Sequence, residues 1–384
     1  MSKKYDVVII GGGSVGVPTA LSIAKKGLKV AVIESNTATG QGQNKRAIGG
    51  IRATHSSFAK IKICLDSIRI FSSWKETYGH DIEWEQGGYV FVAYTEEDEK
   101  MLKETINVQQ KAGLNISWVS KEKINELVPG ISEEGLRGGT YSPEDGTASP
   151  ILCSYAFYDA AKREGADFFF EETVTAIKTE KGLVKQVETD KGVYETEFVI
   201  NTAGSEASKI GKMVGIDLPI YPDSHESGIT EPVKKFVKPL VVDIRGRPGT
   251  KNFYFYQNKQ GQFILCLTPN PLIPGTDCRE TSVFLPQAAQ RMIELLPRTK
   301  HLKMRRTWRG IYPMTPDGSP IVGTVKDVKG YINAVGMCGQ GFMLGPGLGE
   351  LLSRLVTDEL TSDDKRILEE LSLYRDFKST EKLK

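Results

Sequence analysis

Tyr5-Asp6-Val7-Val8-Ile9-Ile10-Gly11-Gly12-Gly13-Ser14-Val15-Gly16 is the stretch whose reading decides the fold. The apolar run Val7–Ile10 suits a parallel strand buried on both faces. The next residues carry the G-x-G-x-x-G spacing at Gly11, Gly13 and Gly16. Val17, Ala20, Leu21, Ile23 and Ala24 then give one apolar helical face, which stops at Lys26-Gly27. A second strand, Lys29–Ile33, ends on Glu34. In this order Gly11 permits a tight turn and Gly13 lets a pyrophosphate approach the helix N-terminus. Gly16 lets helix and strand pack closely, and Glu34 can accept the hydroxyls of an adenosine ribose. Glu34 would also repel a 2′-phosphate. The expectation is a Rossmann-type dinucleotide site in an α/β protein, bordered by Ser14, Val15 and Ser35.

Two further turns point to FAD rather than a nicotinamide. The strand Phe198–Asn201 runs into Thr202-Ala203-Gly204, a small-residue turn that can pass close to a dinucleotide. The strand Gly330–Gly336 leads into Gly339-Gln340-Gly341-Phe342-Met343, and Pro346 is expected to open the helix that follows. A second helix N-terminus far along the chain suits a cofactor with two charge-bearing ends, a pyrophosphate and an isoalloxazine. Thr173–Ile177, with Val174, and Gly192–Thr196 read as strands of a small sheet.

The rest of the composition is restrictive. The 384 residues carry 50 Lys+Arg against 48 Asp+Glu, a formal charge of +2, so charge offers no reason to expect a nucleic-acid partner. No apolar run reaches the roughly 18 residues of a membrane span. The five cysteines are scattered, with no CxxC pair, which suits a cytoplasmic protein. The four histidines are isolated, so no metal site can be drawn.

These blocks resemble the D-amino-acid oxidase-like (DAO) superfamily of FAD-dependent amine oxidoreductases. Within it, the chain looks most like the β subunit of heterotetrameric sarcosine oxidase and dye-linked L-proline dehydrogenase. The resemblance adds Gly49-Gly50-Ile51-Arg52, Glu85–Tyr89, and Trp308-Arg309-Gly310 through Asp317 to the turns above. It implies a discontinuous FAD domain (1–80, 145–215 and 323–384). A substrate domain with an antiparallel sheet (81–144 and 216–322) would complete a PHBH-like pair.

The resemblance also implies the chemistry, which is oxidation of the C–N bond of a small or secondary amino acid of the sarcosine, proline or glycine class. Hydride would pass to flavin N5 and the imine would then be hydrolysed or released. Gly50 and Ile51 would flank the FAD. Arg52 would hold the substrate carboxylate, with Arg46 as its rival if it does not face the cofactor. Arg309 is a second candidate carboxylate ligand, because a guanidinium fork matches a carboxylate. His225, Tyr254 and Tyr256 are candidates for the pocket wall, and His225 could orient or deprotonate the amine.

FAD attachment is expected to be non-covalent, since Gly310 stands where monomeric relatives carry a linking cysteine. The strand Gln262–Thr268 lacks the lysine that fast oxidases place above the flavin, so a dehydrogenase is favoured over an oxidase. FMN or an iron–sulfur cluster would then sit at an interface with a partner subunit, unless the chain forms a homo-oligomer. A 2-hydroxy-acid or glycerol-3-phosphate dehydrogenase is the first alternative. A non-catalytic flavin relay subunit is the second.

Overall fold

The computed structural model describes residues 2–378 and 381–383. Its framework is a six-stranded sheet in the order Ile321–Thr324, Tyr331–Val335, Phe198–Asn201, Val7–Ile10, Val30–Ile33 and Asp167–Phe169. Every neighbouring pair is parallel except the first, which is antiparallel. The strand Val7–Ile10 is buried at every residue, as a strand covered on both faces must be. From it the chain winds one way through Val30–Ile33 and the other through Phe198–Asn201. The sheet therefore reverses between Ile10 and Thr202, the place where doubly wound sheets open a crevice beyond their strand ends.

Three helices cover one face. Gly16–Ala24 packs on Gly341–Val356, which also packs on Phe58–Tyr78. Small residues let them approach: a Cβ on Gly345 would lie 1.8 Å from the Ser14 carbonyl oxygen, and one on Gly347 would lie 2.0 Å from that of Ile63. The helix thus begins at Gly341 and carries Pro346 inside it, where the sequence suggests a start at the proline. Gly345, which reads as loop, belongs to its packing face. A four-stranded sheet, Lys3–Lys4, Val193–Glu195, Leu183–Thr189 and Val174–Glu180, lies alongside and includes both strands expected near residues 173 and 192.

An eight-stranded sheet forms the second body. It orders Met304–Met314, Tyr221–Pro232, Gln262–Pro269, Thr250–Gln257, Leu240–Asp243, Tyr89–Ala93, Gly138–Ser142 and Ser117–Val119. All its pairings are antiparallel but Leu240–Asp243 with Tyr89–Ala93. Its strands come from residues 89–142 and 221–314, whereas Ile321–Thr324 joins the six-stranded sheet. A boundary at 322/323 therefore falls within a strand. No helix among the described residues is long and apolar enough to cross a membrane.

Candidate active site

The strand ends of the six-stranded sheet and the face of the eight-stranded one enclose a cavity of about 670 Å³. Four strand ends reach it, at Gly11, Glu34, Thr202 and Gly336. Gly11 sits at φ +107°, and a Cβ there would meet the Thr202 carbonyl oxygen at 2.8 Å. Gly13 faces open space, with nothing within 4 Å of a built Cβ. At Gly16 a Cβ would lie 2.0 Å from the Gly11 carbonyl oxygen. Gly11 thus makes the turn, Gly13 leaves open space, and Gly16 allows the close helix–strand contact.

Glu34 accepts from the Gly12 amide at 2.7 Å and the Asn36 amide at 2.8 Å, which fixes its carboxylate on the cavity wall. Oε1 also accepts from Asn36 Nδ2 at 2.5 Å and Ser35 Oγ at 3.5 Å, so of the carboxylate's about four acceptor positions the one left for a ribose hydroxyl is the second on Oε2. The open Gly13 cradle and the anchored acid fit an adenosine diphosphate moiety. At the far end Gly339, at φ +81°, packs its α-carbon against the Tyr312 ring, and Gln340 through Met343 form the first turn of a helix aimed at the cavity.

Of the residues expected at the cofactor, Ser14, Val15, Ser35, Arg46, Gly50, Val174, Ala203 and Gly204 also line the cavity. Gly16 and Ile51 do not: Gly16 is buried in the helix–strand contact, and Ile51 lies in a short strand paired with Gly146.

The substrate-side candidates separate more sharply. His225 and Tyr254 line the cavity, whereas Tyr256 and Arg309 do not. The Tyr256 hydroxyl donates to the Ile48 carbonyl at 2.5 Å. Arg309 is buried and turned into its own sheet. It donates from Nε and Nη2 to Ser224 Oγ (2.9 and 2.6 Å) and from Nη1 to the Arg279 carbonyl (3.1 Å). The reading of Arg309 as a carboxylate ligand is corrected on that geometry. Arg52 reaches the wall, but its Nη1 donates to the Thr54 carbonyl and its Nη2 to the Leu383 carbonyl at 2.6 Å. Both arms of its fork are engaged.

Arg46 lines the cavity with Nη1 donating to Cys278 Sγ at 2.6 Å. Lys251, Asp223, Asn252 and Tyr312 are wall residues that sequence reasoning did not select. Asp223 was within reach of it, because it alternates with His225 on one strand and so shares its face. Tyr312 stands across from Asp223 in the neighbouring strand.

Burial alone would raise the Asp223 carboxyl. The His225 hydrogen bond and the amides of Ser224 and Ile273 outweigh it and hold the group below the usual carboxylate range. Burial pushes the Tyr254 and Tyr312 phenols far up, so both stay protonated. Among the described residues, no group of three or more His, Cys, Asp or Glu side chains could hold a metal ion.

Beneath the cavity lies a fully buried ion pair, Lys60 Nζ to Glu381 Oε2 at 2.9 Å. Burial would raise the Glu381 carboxyl, but Lys60 and the Ser56 donors outweigh it and hold it far below the usual range.

Comparison with known proteins agrees with this architecture. The structure of L-proline dehydrogenase from P. horikoshii superposes with a TM-score of 0.90 at 31% identity, covering 98% of each chain. Glycine oxidase of Geobacillus kaustophilus is 27% identical over 95% of this chain and 96% of its own length. Sarcosine oxidase subunit beta of Rhodobacter capsulatus is 25% identical over 92% and 85%. The profile of the DAO family, FAD dependent oxidoreductase, matches residues 6–355. With the glycine cradle, the anchored Glu34 and the two-body fold already in place, that match settles the family: this chain belongs to the DAO family of FAD-dependent oxidoreductases.

Proposed function

We propose that the protein binds FAD non-covalently and oxidises the C–N bond of a small amino acid or of an N-methyl or secondary amino acid, in the sarcosine, proline and glycine class. The observation that carries this reading is the continuity of one cavity. It runs from the glycine cradle at Gly11–Gly13 to a polar wall of Asp223, His225 and Tyr254 on the eight-stranded sheet. The similarity to L-proline dehydrogenase and glycine oxidase supports the substrate class. FAD, when bound, supplies the two-electron acceptor, and the chain supplies orientation and electrostatics.

Residues 1–80, 145–215 and 323–384, extended to Ile321 so that its strand is whole, form the cofactor body in this reading, and the eight-stranded sheet forms the substrate body. Gly11, Gly13 and the Gln340 helix turn hold the two charge-bearing parts of the cofactor, with Glu34 on the ribose. Arg46 holds the substrate carboxylate: its Nη1 is bonded to Cys278 Sγ, whereas both arms of the Arg52 and Arg309 forks are bonded within the protein. Tyr254 and Tyr312, joined through their hydroxyls at 3.3 Å, form a rigid aromatic wall for the substrate's carbon skeleton.

We further read the protein as a dehydrogenase that passes electrons to a partner subunit carrying FMN or an iron–sulfur cluster. This rests on the likeness to a subunit beta and on the absence of lysine from the strand Gln262–Pro269.

The test is anaerobic bleaching of the purified yellow protein by sarcosine, L-proline, glycine and a set of 2-hydroxy acids, followed by admission of air. Bleaching by amino acids, with slow recolouring in air, is expected. Bleaching only by hydroxy acids would overturn the substrate class, and rapid recolouring with stoichiometric peroxide would make it an oxidase. Acid precipitation should release all the colour; colour held in the pellet would overturn non-covalent binding.

A further inference from the structure

Lys251 reaches the cavity wall by breaking the alternation of its strand. Successive side chains of a regular strand point to opposite faces, so Lys251 would share the face of Phe253 and Phe255, which are buried in the core of the sheet. Yet Lys251 and Asn252, neighbours in sequence, both line the cavity. The ladder gives the reason. Thr250 pairs with Pro269 and Phe253 with Leu267, three steps on one strand against two on the other. The extra residue is a β-bulge, a device that re-aims side chains beside sites.

The row that begins there continues across the sheet. Glu226 pairs with Leu267, so Thr268 stands beside His225, and His225 pairs with Gly310. Lys251, Asn252, Thr268, His225 and Gly310 all line the cavity. A Cβ on Gly310 would lie 3.3 Å from that of Arg46. One row of wall residues thus has a cation at each end, and its ends are three strand spacings, roughly 14 Å, apart at the main chain.

The cations on the wall differ in what they already hold. Arg46 donates to Cys278, Arg52 to two carbonyls, and Lys209 pairs with Glu206. Lys251 is exposed, and among the described residues it has neither a hydrogen bond nor an ion pair. On the strand between Gly310 and Thr268 stands Asp223, held as a carboxylate.

We propose that Lys251 is a specificity-determining residue that takes a second carboxylate of the substrate, so that the preferred substrates are amino acids with two acidic groups; the proposal rests on the amino-acid reading above. Across the sheet the wall presents cation, anion and cation at Arg46, Asp223 and Lys251. An amino dicarboxylate carries the complement in the same order, carboxylate, ammonium and carboxylate. An ammonium is a single point charge with three donors, which suits one carboxylate. The length of the row places the second acid several bonds from the first.

The experiment compares matched substrates on the holoenzyme by anaerobic stopped-flow reduction of the bound flavin. Glycine is set against iminodiacetate, and sarcosine against N-methyl-DL-aspartate and N-methyl-DL-glutamate. The dicarboxylate should reduce the flavin with a second-order rate constant at least about tenfold above its partner, the worth of one charge-assisted bond. Lys251→Gln should cost the dicarboxylate about tenfold more than its partner, in apparent affinity and not in limiting rate. Lys251→Arg should keep the preference. Glutarate and valerate, equal in chain length and without an amine, give a readout that needs no turnover. Glutarate should perturb the flavin spectrum at about tenfold lower concentration than valerate, and Lys251→Gln should abolish that difference.

Reduction by monocarboxylates with no dicarboxylate advantage in the wild type removes this inference alone. An equal loss for both members of a pair in Lys251→Gln overturns it as well, since a lysine that only raised the local potential would act on both. Reduction by no amino acid of either kind removes the amino-acid reading together with the inference.

Discussion

The two ends of the cavity are made of different material. The end proposed for the cofactor is main chain: it exists because side chains are missing at Gly11, Gly13, Gly16, Gly339 and Gly345, with Glu34 as the carboxylate held by the Gly12 amide. The end proposed for the substrate is side chain: Asp223, His225, Tyr254 and Tyr312 on three strands, with Arg46 also on its wall. One end is defined by what is absent and the other by what is present. The same replacement, any residue to alanine, is therefore an addition at the first end and a deletion at the second.

The largest effect is expected from a change that acts on both ends at once. Arg52, on the wall between them, is tied to the Leu383 carbonyl, and the segment carrying Leu383 is anchored through Glu381 to Lys60. Glu381→Ala leaves a fully buried ammonium unpaired and should cost about 3–5 kcal/mol in a denaturant melt. In the unaltered protein the same contribution depends on pH. The folded Glu381 carboxyl lies below its unfolded value of about 4.3, so the stabilisation is complete above that pH and is lost as pH falls below it. A melt series whose stability does not decline below about pH 4 would remove this assignment.

Next comes the cofactor end. Gly16→Ala puts a methyl 2.0 Å from the Gly11 carbonyl oxygen, so helix and strand must part. A loss of about 3 kcal/mol is expected, with protein that purifies colourless. Retention of stoichiometric flavin would show that the cradle tolerates addition and would erase the contrast between the ends.

The smallest effect belongs to the substrate end. Arg46→Ala should lower kcat/KM by about 10–100-fold, the worth of a charge-assisted bond, while flavin content and melting temperature stay near wild type. Arg309→Ala should do the reverse, because it frees Ser224 in the sheet and the Arg279 carbonyl in the loop beside it without touching the cavity. Equal kinetic losses in both would refute the division of roles between these arginines.

How much of this was legible in the sequence follows from the same contrast. The cofactor end is written in contiguous stretches, since a turn, a helix start and a strand-end acid must adjoin one another along the chain. Two placements differ: the helix opens at Gly341 and not at Pro346, because Gly341 and Gly345 look like loop until the packing of Gly345 against Ser14 is seen, and Ile51, expected at the cofactor, lies in a short strand paired with Gly146. The substrate end is assembled across strands. Tyr254 and His225 could be nominated by type, and alternation alone would add Asp223. That Arg309 turns away depends on Ser224 and Arg279, whose nearness is a matter of sheet register and loop path.

The pairing of Lys60 with Glu381 has a consequence for biosynthesis. Translation delivers roughly 5–20 residues per second, so Lys60 exists for tens of seconds before its counter-charge is made. An ammonium cannot be buried alone, so the start of the Phe58–Tyr78 helix must stay wet throughout that interval. The glycine turn and its two strands can form within the first thirty-odd residues, but the floor beneath the cavity closes only when residue 381 arrives. Released chains truncated before residue 381 should take up dye at this floor, and chains that include it should not.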